Sequence, residues 1–279
     1  MTQELSDKEI VAKAKQEHEK KVSKDKDFPT EIISLPSKGY FYLPDNPLSS
    51  GEIELRYPTA REEDILTSRN LLNKGLALDR FLQSIIVSEG VDYNSILLGD
   101  KDGIMYASRI LAYGPDYEGE VMCPNPVCGY KNKVKIDISS LETKDVPFDE
   151  FTKGQQEFNF VLPTSKKSIK FKLLTHADEQ AINDEIAALK KKSLLKEDKE
   201  LTTRLKYSII EVDGDKNKSS VFHFVDNLLA RDSLALRKEI NRISPDINNT
   251  FQFNCTECNY SEELMIPLGI SLFWPSGRL

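Results

Sequence analysis

Two short cysteine pairs constrain the fold of this chain more than any other feature. Cys123 and Cys128 form a C-x4-C pair in VMCPNPVCGY, and Cys255 and Cys258 form a C-x2-C pair in FNCTECNY. They are the only four cysteines in 279 residues, and more than a hundred residues separate the pairs. Short turns of this kind present two thiolates from one bend, and four thiolates close a tetrahedral zinc site. The spacing therefore predicts one structural Zn²⁺ ion held by all four cysteines.

A repeated pattern follows the cysteine pairs. Tyr130 and Tyr260 each stand two residues after the second cysteine of their pair. Apolar residues then recur at three matching offsets: Val134, Ile136 and Ile138 in one copy, and Leu264, Ile266 and Leu268 in the other. Alternation with a period of two is typical of a strand with one buried face. We interpret this as one knuckle-plus-strand unit used twice, whose copies meet to form a zinc-ribbon-like β unit. Four unligated buried thiols, or redox chemistry, are the alternatives.

Composition narrows the classes of protein. The chain carries 38 Lys and Arg residues against 45 Asp and Glu residues, so no overall positive field attracts nucleic acid. No apolar run approaches the roughly 20 residues that span a bilayer, and the N-terminus lacks the apolar core of a secretory signal. We therefore expect no membrane association and a protein used in a cytosol, where paired cysteines bind metal more often than they form disulfides.

Local patterns predict an α+β fold, with helical layers before the zinc-ribbon-like unit and inserted within it. The capping box Thr59–Glu62 predicts a helix that ends near Gly75. Further helices are predicted at 77–88, 102–113, 175–195, 199–211, 220–230 and 232–243, and strands at 40–43, 53–57, 133–138, 157–162 and 168–173. The predicted regions are a charged tail (1–28), an extended arm with edge strands (29–58), a helical layer (59–117), the zinc-ribbon-like unit (118–142 and 250–279) and an inserted hairpin and helical region (143–249).

No catalytic motif is present. The sequence has no G-x-S-x-G, P-loop, H-E-x-x-H or dinucleotide-binding pattern, and its three histidines are widely separated. Asp213, Asp215 and Asn217 predict an ordinary turn, because the glycine is at the wrong position for a calcium loop and no glutamate closes such a loop. We predict no catalytic residue and no enzymatic activity. A polar cleft with strongly perturbed carboxylates would favour an enzyme instead.

Aromatic residues form two candidate surfaces for a partner protein. Tyr40, Phe41 and Tyr42 surround a turn in LPSKGYFY, and Phe273 and Trp274 lie in the C-terminal SLFWP. Aromatic side chains are typical of the centres of interfaces. Packing of the same residues on their own domain is the alternative at both places.

Longer segments resemble a known family. The order LPSKGYFY, YPTAREEDILTSRNLLNKG and ILLGDKDGIMYASRILAYGPDYEGEVMCPNPVCGY, over roughly residues 30–175, resembles the baseplate hub proteins of T4-type contractile-tailed bacteriophages. The ending FNCTECNYSEELMIPLGISLFWP is similar to the second knuckle and aromatic ending of related phage tail proteins. The first knuckle departs from the commoner C-x2-C form, and the charged tail has no counterpart.

The resemblance implies a non-enzymatic role as a hub component or as an assembly factor (chaperone). Its partners would be other baseplate and tail hub proteins, with homo-oligomerisation left open. Its location would be the virion tail baseplate, or the host cytoplasm during assembly. From the residues alone, the alternative is a zinc-ribbon adaptor that binds nucleic acid or a polymerase, which a basic patch with exposed aromatics beside the knuckles would favour.

Overall fold

Helices and short antiparallel strands alternate along residues 28–192 and 199–273, the parts of the chain that a computed structural model describes. The strands are β1 (Thr30–Ser34), β2 (Glu52–Arg56), β3 (Asp116–Met122), β4 (Lys131–Asp137), β5 (Glu157–Val161), β6 (Ser168–Lys172), β7 (Ile209–Val212), β8 (Thr250–Asn254) and β9 (Ser261–Met265). The helices are α1 (Ala60–Thr67), α2 (Arg69–Asn73), α3 (Ala77–Ile85), α4 (Leu98–Tyr113), α5 (His176–Lys192), α6 (Glu200–Ser208), α7 (Lys218–Asp226) and α8 (Ala230–Ile243). The prediction of an α+β fold is confirmed.

The strands form four separate antiparallel sheets in the described residues. Three are two-stranded hairpins (β1–β2, β3–β4 and β8–β9), and the fourth has the order β5–β6–β7. The predicted hairpin of β5 and β6 is confirmed, with Phe158 opposite Phe171. The predicted charged tail lies outside the described residues, except for Phe28.

The segment 29–58 differs from the expected extended arm. Its side chains Leu35, Leu48 and Ile53 are buried in the main core. The strand predicted at 40–43 is wrong, because this stretch forms successive turns, such as the bond from Tyr40 N–H to the Ser37 carbonyl (2.9 Å). The turns fold the segment back onto the helices, so it forms part of the domain instead of projecting from it.

The helical layer begins at the predicted capping box. The backbone N–H of Thr59 donates to Oε2 of Glu62 (3.0 Å), and the Thr59 hydroxyl donates to the same oxygen (2.7 Å). Arg56 adds two hydrogen bonds to this buried carboxylate. The expected single helix is instead two, because Ser68 takes an extended conformation between α1 and α2. Thr and Ser compete with helix formation by bonding to the local backbone, as the Thr67 hydroxyl does with the Glu63 carbonyl.

The segments that carry the family resemblance contact each other. Oδ1 of Asp100, in ILLGDKDG, accepts the backbone N–H of Ser37, and its Oδ2 accepts the hydroxyl of Tyr42, both in LPSKGYFY. A side chain at Gly99 would place its Cβ 1.7 Å from the carbonyl oxygen of Pro245, so only glycine allows α4 to approach this close. The start of α4 thus joins the N-terminal turns to the C-terminal half of the chain.

The inserted region corrects one prediction. The helix predicted at 199–211 ends at Ser208, and Ile209 and Ile210 begin β7. Strand β7 pairs with β6, and Val212 lies opposite Ile169. Branched side chains favour such a pleated, half-buried surface. The third strand of the sheet therefore replaces the last three residues of the predicted helix. The turn predicted at Asp213 is confirmed by the mutual backbone bonds of Val212 and Asp215.

Candidate metal centre

Two hairpins bring the cysteines together. The first pair lies between β3 and β4, and the second pair lies between β8 and β9. The turns are built alike: Cys123 N–H donates to the Tyr130 carbonyl, and Cys255 N–H donates to the Tyr260 carbonyl, each at 2.8 Å. The residue after each second cysteine, Gly129 or Asn259, has nearly the same positive φ (57° and 58°). Glycine and asparagine tolerate this conformation best. The repeat in the sequence is therefore a repeat in local structure.

The four sulfurs form one compact cluster. Sγ of Cys123 lies 3.7 Å from Sγ of Cys258, and Sγ of Cys128 lies 3.8 Å from Sγ of Cys255. All four ligand atoms lie within 4.8 Å of one another. A zinc ion bound tetrahedrally at about 2.3 Å separates its sulfurs by about 3.8 Å, whereas a disulfide needs about 2 Å. The cysteines are free, and their sulfur spacing fits a four-thiolate metal site.

Asn132 joins the two knuckles beside the sulfurs. Its buried amide donates to Sγ of Cys255 (3.4 Å), and its Oδ1 accepts both the backbone N–H and the hydroxyl of Thr256. Asn125 supplies a second, more exposed amide to Sγ of Cys258 (3.7 Å). Such donors orient ligands and stabilise thiolate charge. Sequence reasoning missed Asn132, although a polar residue close to the cysteines and between apolar strand positions was a visible signal.

The hydrogen bonds around the cluster shift the ionisation of its thiols. Burial raises the pKa of Cys255, but donors from the Cys258 backbone, the Asn132 amide and the Glu257 backbone outweigh it and lower that pKa to about 6. Burial and the neighbouring thiols raise the pKa of Cys123 to about 12. Because the thiolate is the form that binds metal, the cluster contains one readily ionised ligand, and a bound metal would ionise the others.

The matched apolar residues of the two repeats pack in different places. Val121, Val134, Phe253 and Leu264 form a small core beneath the cysteines. Further along, Ile136 and Ile266 pack with the main core. The last matched pair diverges, because Ile138 is 2% exposed and Leu268 is 37% exposed. Strand β9 ends at Met265, so Leu268 lies beyond the repeated unit.

The aromatic candidates for partner binding lie mostly inside the domain. Phe41, Tyr42 and Phe273 are buried, and Tyr40 is half-buried with its hydroxyl bonded to the Phe151 carbonyl. The ring of Phe273 packs edge-on against Phe81 (4.9 Å). Burial thus supports the alternative, in which these residues pack on their own domain. Trp274 lies outside the described residues.

The sequence matches one known protein family over most of its length. The sequence profile of a family described as T4 bacteriophage base plate protein matches residues 35–274. The chain belongs to this family. The match begins at the LPSKGYFY turns, includes both halves of the cysteine cluster and ends at Trp274. No curated protein sequence and no solved structure matches the chain. The resemblance to T4-type baseplate proteins is therefore confirmed at the level of the family.

The baseplate protein also has a cleft with perturbed carboxyls, which is part of what would favour an enzyme. The cleft, of about 810 Å³, lies between α4, α6 and α8 and contains Asp102 and Asp246. Burial and the charge of Asp246 raise the pKa of Asp102 to about 7, and burial also raises the pKa of Asp246. The Asp102 carboxyl can therefore exchange protons near neutral pH. The described lining contains no cysteine, histidine or lysine, and both lining serines donate to backbone carbonyls. The described lining therefore offers carboxyls but no Ser–His or Cys–His pair.

His176 belongs to a buried charge network that the sequence did not reveal. Its Nδ1 lies 3.1 Å from Nζ of Lys101, which also contacts Glu179 (2.8 Å) and Asp79 (3.2 Å). Burial and the charge of Lys101 lower the pKa of His176. The network connects α3, α4 and α5 through the ion pairs of Lys101 with Asp79 and Glu179. Within the described residues, the four cysteines alone form a cluster that fits a metal. The described helices include none long and apolar enough to cross a membrane.

Proposed function

We propose that this member of the T4 base plate protein family is a non-enzymatic component or assembly factor of the baseplate hub, stabilised by one structural zinc ion. The observation that carries the proposal is the cluster of four free cysteines supplied by two distant hairpins. Together with the family match over residues 35–274, it supports a scaffold protein that other tail proteins bind. The virion tail and, before assembly, the host cytoplasm are its proposed locations.

The donor set favours a structural role for the metal. Four thiolates complete the tetrahedral coordination of zinc, so no position remains for water or substrate. Binding of this kind contributes on the order of 10 kcal/mol to folding, as much as the net stability of a whole domain. In the proposed zinc-ribbon-like unit, this energy joins two hairpins that lie more than a hundred residues apart and share only a small apolar core.

The nucleic-acid alternative depends on a basic patch beside the knuckles. Tyr130 is exposed there, and Lys131, Lys133 and Lys135 lie on the outer face of β4. Carboxylates of β3 oppose two of these lysines, because Glu120 pairs in register with Lys133 and Glu118 with Lys135. The outer face is therefore a ladder of mixed charge. Such a surface does not provide the array of unpaired cations that contacts phosphates.

The decisive experiment combines mass spectrometry of purified virions with electron microscopy of phage that lacks this chain. A hub component is expected in virions at a fixed, stoichiometric copy number, and its loss is expected to leave incomplete baseplates. An assembly factor is expected to be absent from virions while its loss produces the same defect. Normal baseplates and normal infectivity without the chain would contradict both roles.

A further inference from the structure

The two knuckles are alike in their turns but differ at their tips. The first knuckle has two more residues between its cysteines, and it presents Pro124, Pro126 and Val127 to solvent. The shorter second knuckle presents Thr256 and Glu257 instead. The second knuckle brings both of its sulfurs into the cluster with only two residues between its cysteines. Of the residues in this longer turn, Asn125 donates to Sγ of Cys258, and Pro124, Pro126 and Val127 form the outer surface of the tip.

The first tip is unusually apolar for a solvated loop. Val127 is 94% exposed, and Met122, which precedes the first cysteine, is 61% exposed. Tyr130 is also exposed beside them. Single exposed apolar residues are common on protein surfaces, but several of them within one short loop and its flanking strand ends indicate an interaction site. We define the apolar tip as Met122, Pro124, Pro126, Val127 and Tyr130.

Two residues beside the apolar tip, Lys131 and Glu257, carry opposite charges and lack a charged partner among the described residues. Lys131 lies opposite Met122 in the β3–β4 register, so it lacks the cross-strand carboxylate that opposes Lys133 and Lys135. Glu257, at the tip of the second knuckle, is exposed and has no salt bridge in the described part of the chain. The two tips are neighbours because their cysteines share one cluster. One end of the protein therefore carries an apolar surface with an unpaired cation on one knuckle and an unpaired anion on the other.

We propose that this end binds a second copy of the chain through a two-fold axis. A two-fold axis places the same surface on both copies and allows Lys131 of each copy to meet Glu257 of the other. The apolar tips then pack against each other between the two ion pairs. The surface is small compared with the roughly 800 Å² per partner of a standard interface, so the dimer is weak, with a dissociation constant on the order of micromolar.

Sedimentation velocity of the purified, metal-loaded chain over a range of concentrations tests this proposal. The wild type is expected to shift reversibly from monomer to dimer, and the shift is expected to weaken at high salt. Val127→Asp is expected to raise the dissociation constant about 100-fold, because it would bury a charge in the contact. Val161→Asp, at an exposed valine on β5, is the matched control and is expected to leave the dimer unchanged.

Charge reversal gives a stricter test of the arrangement. Lys131→Glu alone is expected to weaken the dimer, and adding Glu257→Lys in the same chain is expected to restore it, since the exchanged charges pair again. Unchanged metal content and circular dichroism show that each variant is folded. A monomer at every concentration, a dimer unaffected by Val127→Asp, or no recovery in the double variant would each overturn the proposal.

Discussion

The hydroxyl of Tyr42 donates a 2.7 Å hydrogen bond to Oδ2 of Asp100, and both groups are buried. The same hydroxyl accepts the backbone N–H of Leu97 (3.0 Å). Burial raises the pKa of Asp100, and the bonds from Ser37 and Tyr42 oppose that rise. This short network attaches the N-terminal turns to the first turn of α4. It explains why an aromatic of LPSKGYFY, which the sequence offered as a partner contact, is needed inside the domain.

Replacing Tyr42 with phenylalanine is expected to destabilise the fold. The substitution keeps the ring but leaves Asp100 and the Leu97 N–H each without one partner, which costs about 1–3 kcal/mol in the free energy of unfolding. Chemical denaturation monitored by circular dichroism measures this change. Tyr57→Phe is the control, because that hydroxyl makes a 3.4 Å contact with Glu31 at the surface. An equal loss of unfolding free energy in the two variants would show that the buried network stabilises the fold no more than the surface contact does.

Metal analysis tests the cysteine cluster directly. The purified chain is expected to contain about one zinc ion, measured by mass spectrometry of the metal, and Cys255→Ser is expected to lose it. The variant is also expected to have a much lower unfolding temperature, because metal binding contributes to folding free energy. A strong chelator is expected to reproduce the loss in the wild type. Full stability without metal would refute the structural role of zinc.

Substitution of Asn132 by alanine tests the amide that joins the knuckles. Loss of its bond to Cys255 and of its two bonds from Thr256 is expected to lower zinc affinity about 10–100-fold, with the ligands intact. Competition with a chromogenic chelator measures that affinity. Asn159→Ala, at an exposed position of β5, is the matched control and is expected to bind zinc as the wild type does. Wild-type affinity in Asn132→Ala would mean that the amide only fills space.

Stability is expected to fall with rising pH because of Asp102. The pKa of this carboxyl is about 7 in the folded protein, compared with 3.8 for an aspartate in an unfolded chain, so folding favours its protonated form. The contribution is present at low pH and is lost as the pH rises from about 4 to about 7. Asp102→Asn is therefore expected to gain about 1–3 kcal/mol at pH 8 relative to the wild type, and progressively less toward pH 4.

Thermal and chemical unfolding at several pH values measure the difference between the two proteins. Asp64→Asn, at an exposed position of α1, is the control for removing a negative charge without removing a buried one. A difference between wild type and Asp102→Asn that does not change with pH would show that Asp102 titrates normally. Unimpaired baseplate assembly with Asp102→Asn would in addition separate the cleft from the proposed function.

Local chemistry accounts for the elements that the sequence predicted well. The Thr59 capping box, the β5–β6 hairpin and the turn at Asp213 depend on neighbours within a few residues, and all three are present. The predictions were wrong for elements whose conformation depends on residues far away in the sequence. Ile209 and Ile210 fit a helical pattern, but pairing with β6 draws them into a strand. The turns at 36–42 have a strand-like composition, and Asp100 holds them in place from 58 to 63 residues away.

The sequence by itself determined the four cysteines of the candidate metal centre and the repeated turn around them, because spacing, the following tyrosines and the apolar alternation are all local properties. It also determined the family, because the motifs that identify the family and their order are read directly from the sequence. Only the tertiary structure decided that Asn132 joins the knuckles, that Phe41 and Phe273 belong to the core, and that Asp102 and Asp246 share a cleft. These outcomes depend on which surfaces meet when the chain folds, and burial and charge act on a side chain only once its distant neighbours are in place.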